Sequence, residues 1–393
     1  MGTICNLAFS NYHLFYQKNL YYRKIISALF RPENFISKKR KYSSLNPNYW
    51  IDEVINKPGE FEFKGFAEKV SVCRKRLEIY GVSFESCKSD FEKAKIIAKK
   101  DGAYDSEYKF DIAKLEYQTY LDEVKDIIEK QEFSYEQDYS NLRESLKSFD
   151  LGINGQSLNC HLYSILSVLP DNAIVEYDLT ELIDNGWAEE LEIKSILTEK
   201  IIVLTEGKTD VEFISDSLKR LYPELSDYYH FIDFDNYKVE SSASMLVKLV
   251  TAFAGAKVKH PIVALFDNDT TGIAELKRLK SVTLTPNIKT LKFPDIPFAN
   301  NYPTIGPTGL YEMNVNGLAC GIEMYFGKDV LTKNGNLIPI QWRGFNDKEN
   351  KYQGVISDKK YAQNKIREKI KNGPSKNFED INLLLRTIFN AFS

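Results

Sequence analysis

Two short segments constrain this chain more than any other feature: residues 200–210, KIIVLTEGKTD, and residues 261–272, PIVALFDNDTTG. Each is an apolar, β-branched run that stops at a turn carrying carboxylates, the pattern of a buried parallel strand ending in a functional loop. The first leaves Glu206 and Asp210 at its tip; the second leaves Asp267 and Asp269, with Gly272 placed where a helix can start close to the strand. Parallel strands present their carboxyl ends along one edge of an open α/β sheet, and ligands bind there. The acids of both tips are therefore expected to converge, and like charges a few ångströms apart raise one another's pKa or require a cation. Mg²⁺ or Mn²⁺ suits such a set, since a hard ion held by one or two carboxylates keeps room for phosphate oxygens.

The surrounding sequence supplies the rest of an α/β layer. Residues 210–221 put Phe213, Ile214, Leu218 and Leu221 on one helical face, the crossover that a parallel pair needs. A strand is expected near residues 230–234, a helix over 242–254 with Met245, Leu246, Leu249, Val250 and Phe253 inward, a helix over 273–280 and a strand over 288–293. Asp233 and Asp235 form a second D-x-D, but no glycine follows to place them at a strand-to-helix turn. Gly207, Lys208 and Thr209 spell the end of a P-loop, yet Ile202 stands where its first glycine belongs, so that phosphate cradle cannot form.

The pattern E-G-x-x-D after one strand and D-x-D-x-x-G after a later one resembles the Toprim domain of topoisomerases, bacterial primases, recombination mediators and the overcoming-lysogenization-defect (OLD) nucleases. Residues 317–327, GLACGIEMYFG, resemble a segment downstream of the aspartates in some defence-associated Toprim proteins. The resemblance implies Glu206, Asp267 and Asp269 as catalytic residues, and Glu206, Asp210, Asp267, Asp269 and Glu323 as ligands of Mg²⁺ or Mn²⁺. It also implies Glu206 as general base or acid, Lys208 as a phosphate contact, and a role in bacterial anti-phage defence. Asp210 has a second reading, as the cap of the helix that it begins.

Residues 60–150 carry apolar stripes at helical spacing, Phe66, Val70, Cys73, Leu77 and Tyr80, then Tyr117, Leu121, Val124 and Ile128. Asp178 with Glu181 reads as a capping box for a helix ending near Asn185. Residues 18–41 hold eight cations against the single acid Glu33, with tyrosines interleaved, which reads either as a nucleic-acid contact or as a solvated basic surface. The opening MGTICNLAFSNYHLF and the later RKRLEIYGVSF resemble the N-terminal region of bacterial HEPN/Toprim-associated proteins. HEPN ribonucleases use R-x(4 to 6)-H, and none of His13, His161, His230 and His260 has an arginine at that distance upstream.

The expected fold class is thus α/β: a mainly helical N-terminal domain over 1–198, a Toprim (Rossmann-like) domain with a mostly parallel sheet over 199–327, and a small basic C-terminal subdomain over 328–393. That last segment has thirteen Lys and Arg against seven Asp and Glu, with Arg367, Lys369 and Lys371 as candidate nucleic-acid contacts and Trp342 and Tyr352 upstream. A basic flank would offset the repulsion between carboxylates and a phosphodiester backbone. The whole chain is nearly neutral, net -3, so any such surface is local. Five cysteines without C-x-x-C spacing, and the lack of an apolar run long enough to span a bilayer, predict a cytoplasmic protein. The expected activity is metal-dependent hydrolysis of DNA or RNA, with a separate ATPase or defence partner and a homo-oligomer as open expectations. A non-catalytic Toprim scaffold that binds nucleic acid or a partner is the rival.

Overall fold

The computed structural model describes residues 3–10, 12–42, 58–100, 111–134, 138, 140–148, 150–196, 200–232, 242–347, 349–373 and 378–392. Two compact units divide the chain, residues 1–198 and 199–392.

The first unit is built on five strands, β1 (Ile4–Phe9), β2 (Tyr12–Lys18), β3 (Phe35–Lys41), β4 (Glu60–Lys69) and β5 (Ile174–Asp178), ordered β2-β1-β5-β4-β3 with every pairing antiparallel. β1 is buried at every position, the polar Asn6 included. The helix Val70–Ile79 lies against the sheet, and it gathers with Phe84–Lys100 and Tyr117–Lys130 around Leu158–Val168. Phe66, Tyr177, Phe91, Tyr120, Leu162 and Ile165 belong to one continuous core.

The expectation of a mainly helical N-terminal domain is therefore corrected to a mixed α/β unit. Two features hid the sheet. The lysines of β3 belong to an edge strand with a solvent-facing side, where charges are the usual protection against stray pairing. The stripe from Phe66 to Tyr80 joins two elements, since Phe66 lies within β4, which runs to Lys69, and the helix starts only at Val70. The expected capping box is likewise replaced: Asp178 Oδ1 accepts from Thr180 N at 2.9 Å, while Glu181 Oε2 accepts from Ile4 N at 3.0 Å and ties down the start of β1.

In the second unit, β6 (Ile201–Leu204), β7 (Tyr229–Phe231), β8 (Ile262–Phe266) and, after the two-residue β9 (Asn268–Asp269), β10 (Ile288–Lys292) account for a four-stranded parallel sheet, order β10-β8-β6-β7. The helices Lys208–Leu221, Ala243–Gly255 and Thr270–Arg278 are its connections. Leu246, Val247 and Val250 close a core over Leu204, Ile262, Ala264 and Phe266. A mixed sheet follows, made of β11 (Tyr302–Gly306), β12 (Gly309–Met313) and, beyond the short β13 (Ala319–Cys320), β14 (Thr332–Lys333) and β15 (Asn336–Leu337), the pair β16 (Ile340–Asn346) and β17 (Lys351–Ile356).

The helices Lys359–Asn372 and Glu379–Phe389 both pack on Lys208–Leu221. Residues 328–392 fall in the second unit. Asp233, Asp235 and Pro374 lie outside the described residues. Among the described residues, no helix is long and apolar enough to cross a membrane.

Candidate metal centre

The chain leaves β6 for β7 on one side and leaves β8 for β10 on the other. The crevice between the carboxyl ends of β6 and β8 is therefore a topological switch point, the place where an open α/β sheet binds ligands. Leu204 and Ala264 are level in this pair, so the turns carrying Glu206 and Asp267 lie side by side. The Asp267 N–H donates to Glu206 Oε1 at 2.9 Å and joins the two turns.

Each acid is set by its local backbone. Gly207 caps the Lys208–Leu221 helix, and Asp210 Oδ2 accepts the Gly207 N–H at 2.8 Å from the first turn. Asp269 caps the Thr270–Arg278 helix, its Oδ1 accepting from Gly272 N at 2.7 Å. Between the two aspartates Asn268 points the other way, as strand alternation requires, and is fully buried. Its amide donates to Asp295 Oδ1 at 2.9 Å and its oxygen accepts from Lys292 Nζ at 2.8 Å.

Gly272 lets the turn close: a Cβ there would lie 2.5 Å from Asp267 O and 2.8 Å from Glu206 Oε1. β13 pairs antiparallel with β9 and brings the following turn, Ile322–Phe326, back to the crevice with Glu323 buried in it. A Cβ on Gly321 would lie 3.3 Å from Glu323 Oε2 and 3.6 Å from Asp267 Oδ2, so both carboxylates border the same glycine.

The electrostatics reflect this crowding. Burial pushes Glu206 up to about 8, with the Asp269 charge adding to it. Burial and the neighbouring Glu323 push Asp210 up to about 7. Asp267 is raised well above the usual carboxylate range by burial and then by Asp210, Glu206, Asp269 and Glu323. Asp269 is raised by burial, partly opposed by its hydrogen bonds from Gly272 and Gln353. Asp267 Oδ1 is buried without a hydrogen-bond partner. Such an atom needs a proton or a cation. The donor set is all oxygen, which fits a hard divalent ion.

Convergence is incomplete in this arrangement. Among the described residues, no three His, Cys, Asp or Glu side chains form a group that could hold a metal ion. The local cause is visible: Glu206, Asp210 and Asp269 each turn one oxygen to a backbone N–H, and Glu323 Oε1 accepts from Gln363 Nε2 at 2.8 Å.

Three residues of the site were not foreseen from the sequence. Gln353 on β17 donates to Asp269 Oδ2 at 2.6 Å, Gln363 holds Glu323, and Lys359 Nζ stands 3.3 Å from Glu323 Oε1. Burial pulls the Lys359 ammonium down, but Glu323, Asp267 and Asp210 together raise it. All three are distant in sequence from the acids that they hold, and no local pattern marks them.

Lys208 is exposed in the first turn of its helix. Arg367 pairs with Glu212 at 2.6 and 2.8 Å, and Lys371 is exposed. Lys369 points inward, its Nζ donating to Phe326 O at 2.6 Å and Asp329 Oδ1 at 2.7 Å. The three cations lie on one helix at alternate positions, and at 3.6 residues per turn the middle one faces away from the outer two. Lys369 is thus a buried structural cation and drops out of the expected phosphate-binding group.

Fold and site together define an α/β protein that carries a carboxylate cluster at the switch point of a parallel sheet, preceded by a separate α/β unit. The preceding unit identifies the family: the model for HEPN/Toprim N-terminal domain 1 matches residues 1–201, over half of the chain, and the chain belongs to that family. No curated protein and no solved structure matches it. The match ends at the start of β6, so the carboxylate centre is read from its own geometry.

Proposed function

We propose that the second unit is a Toprim-type hydrolase related to the OLD nucleases, which cleaves phosphodiester bonds of DNA or RNA with Mg²⁺ or Mn²⁺. The observation that carries this reading is the buried, unpartnered Asp267 Oδ1 amid four further carboxylates at a topological switch point. Asp267, Asp269 and Glu206 would hold the ion, with Asp210 and Glu323 as further ligands. When bound, the ion polarises the scissile phosphate and acidifies a water.

The chain's own groups do the rest. Glu206 accepts the Asp267 N–H on Oε1, which leaves Oε2 for the ion or for proton exchange with a water. Gln353 fixes Asp269, and Lys359 offsets charge at Glu323. Lys208, exposed in the first turn after the Glu206 loop, would contact a phosphate.

The test is incubation of wild type, Glu206→Ala and Asp267→Asn with linear duplex DNA, single-stranded DNA and a transfer RNA pool, each with Mg²⁺, Mn²⁺ or EDTA. Metal-dependent cleavage lost in both variants is expected; equal cleavage by Asp267→Asn removes the metal-site assignment.

A second reading, a non-catalytic scaffold, is favoured by one observation: the acids are engaged as caps without a preassembled ligand group. Calorimetry with Mn²⁺ separates the two readings, since a scaffold retains nucleic-acid or partner affinity and takes up no metal. A defence role, in the cytoplasm and alongside a separate ATPase or as a homo-oligomer, belongs to the same proposal. Equal phage plaque counts on cells with wild type or Glu206→Ala would remove its support.

A further inference from the structure

The mixed sheet of the second unit bounds an open groove of about 1110 Å³, beyond the ~300–1,000 Å³ usual for small-molecule pockets. Its walls include Tyr311, Trp342, Phe345, Tyr352, Arg343 and Lys351, and none of its lining residues is an Asp or Glu. In a chain of net charge -3 this is a local cationic surface. Arg343 and Lys351 are both exposed, and neither forms an ion pair among the described residues.

The aromatic wall is shaped by the backbone. Trp342 is level with Gly354 and Gly344 with Gln353, so Arg343 is the extra residue of a β-bulge. Strict alternation would send residues 342 and 345 to opposite faces. With the extra residue, both rings reach Tyr352, at centroid distances of 6.1 Å from Trp342 and 4.9 Å from Phe345. Trp342 also lies close over Gly354, where a Cβ would come within 3.1 Å of Cε3. Tyr352 is 57% exposed and Phe345 47%, so ring faces are left open to a ligand.

The groove borders residues tied to the carboxylate centre. The Tyr352 carbonyl accepts from Thr270 Oγ1 at 2.7 Å, the next residue Gln353 holds Asp269, and the groove residue Leu318 forms a β-bridge with Asp269 itself.

We propose that this groove binds an unpaired stretch of nucleic acid, stacking bases on Tyr352, Phe345 and Trp342 and holding phosphates on Arg343 and Lys351. Stacking on aromatic faces needs bases free of a duplex, and a groove that offers two cations and no lining carboxylate matches an anion better than an apolar peptide. The proposal deepens the hydrolase reading and rests on it for what happens to the strand once bound.

The test is fluorescence anisotropy of the full chain in EDTA, so that no cleavage intervenes, with labelled 20-mers of thymidylate and uridylate and a blunt hairpin duplex. Tighter binding of one or both single strands than of the duplex is expected, the two arms showing which sugar is preferred. Tyr352→Ala combined with Phe345→Ala weakens binding roughly tenfold or more, because base–aromatic stacking is lost. Tyr352→Phe keeps it. Arg343→Ala and Lys351→Ala each weaken binding and flatten its salt dependence.

Unchanged binding in the double ring variant, or duplex bound as tightly as single strand, overturns the proposal. So does a dimer that Tyr352→Ala dissociates while no oligonucleotide binds, which would make the face a self-association surface. Ring-dependent binding without cleavage in metal leaves the groove standing and removes the hydrolase reading; cleavage with ring-independent binding does the reverse.

Discussion

Asp267 concentrates the conflict in this molecule at a single side chain. Its carboxyl is surrounded by Asp210, Glu206, Asp269 and Glu323, and one of its oxygens has no partner. Asp267→Asn removes a charge and keeps the shape, so the metal-free protein is expected to gain about 1 kcal/mol or more. Thermal melts in EDTA check this, and the same variant should lose the rise in melting temperature that Mg²⁺ or Mn²⁺ gives wild type. A lower melting temperature for the asparagine variant would mean that Asp267 is held by an interaction other than these. Gly272 is the complementary case. Its absent side chain allows the backbone of Asp267 to approach, and a methyl group would meet backbone at 2.5 Å, where nothing flexible can yield. Gly272→Ala is therefore expected to lose metal-dependent activity and about 1–3 kcal/mol of stability, the usual cost of overpacking.

At the scale of elements, a single residue shows how the first unit is held. Arg76 on the Val70–Ile79 helix is fully buried, donating to Leu29 O at 2.6 Å, Asn34 Oδ1 at 3.1 Å and Glu68 Oε2 at 3.1 Å. It therefore links a helix end, a short turn and β4. Arg76→Ala leaves Glu68 facing an empty cationic site, and a cost of about 3–5 kcal/mol is expected from chemical denaturation. The elements also divide by how legible they were in the sequence. β6 and β8 were readable because a buried parallel strand is a continuous apolar run, and their acids were readable because each run ends abruptly at its turn. Glu206, Asp210, Asp267 and Asp269 follow from that alone, while Glu323 needed a resemblance. The antiparallel sheet of the first unit was not readable, because its pairings join residues as distant as Asn6 and Asp178 and its β3 edge is written in lysines. Of the expected phosphate-binding trio, Lys369 drops out on helical phase. Gln353, Gln363 and Lys359 were beyond reach because a side chain that holds an acid from another element leaves no local period to detect.

For the whole molecule, the division into two units makes a calorimetric prediction. Each unit is large enough to bury a core, and the clusters around Tyr177 and around Val250 lie wholly within their own units. Two thermal transitions are expected, and they should answer to different conditions. The first unit carries His13 and His161, whose imidazoles burial pushes down to about 4. The unfolded chain binds these protons near 6.5, so between that pH and 4 the unfolded state holds more protons than the native one. Stability from the neutral histidines is thus fully present above about 6.5 and is lost as the pH falls toward 4. The second unit carries the carboxylate centre, and an ion that binds only the native state at a hundred times its Kd adds about 2.7 kcal/mol. Scanning calorimetry at pH 7 and pH 5, with Mg²⁺ or EDTA, should show one transition that falls with pH and another that rises with metal. If a single transition moves with both variables, the units unfold as one; if neither moves with metal, the centre at the switch point does not bind it.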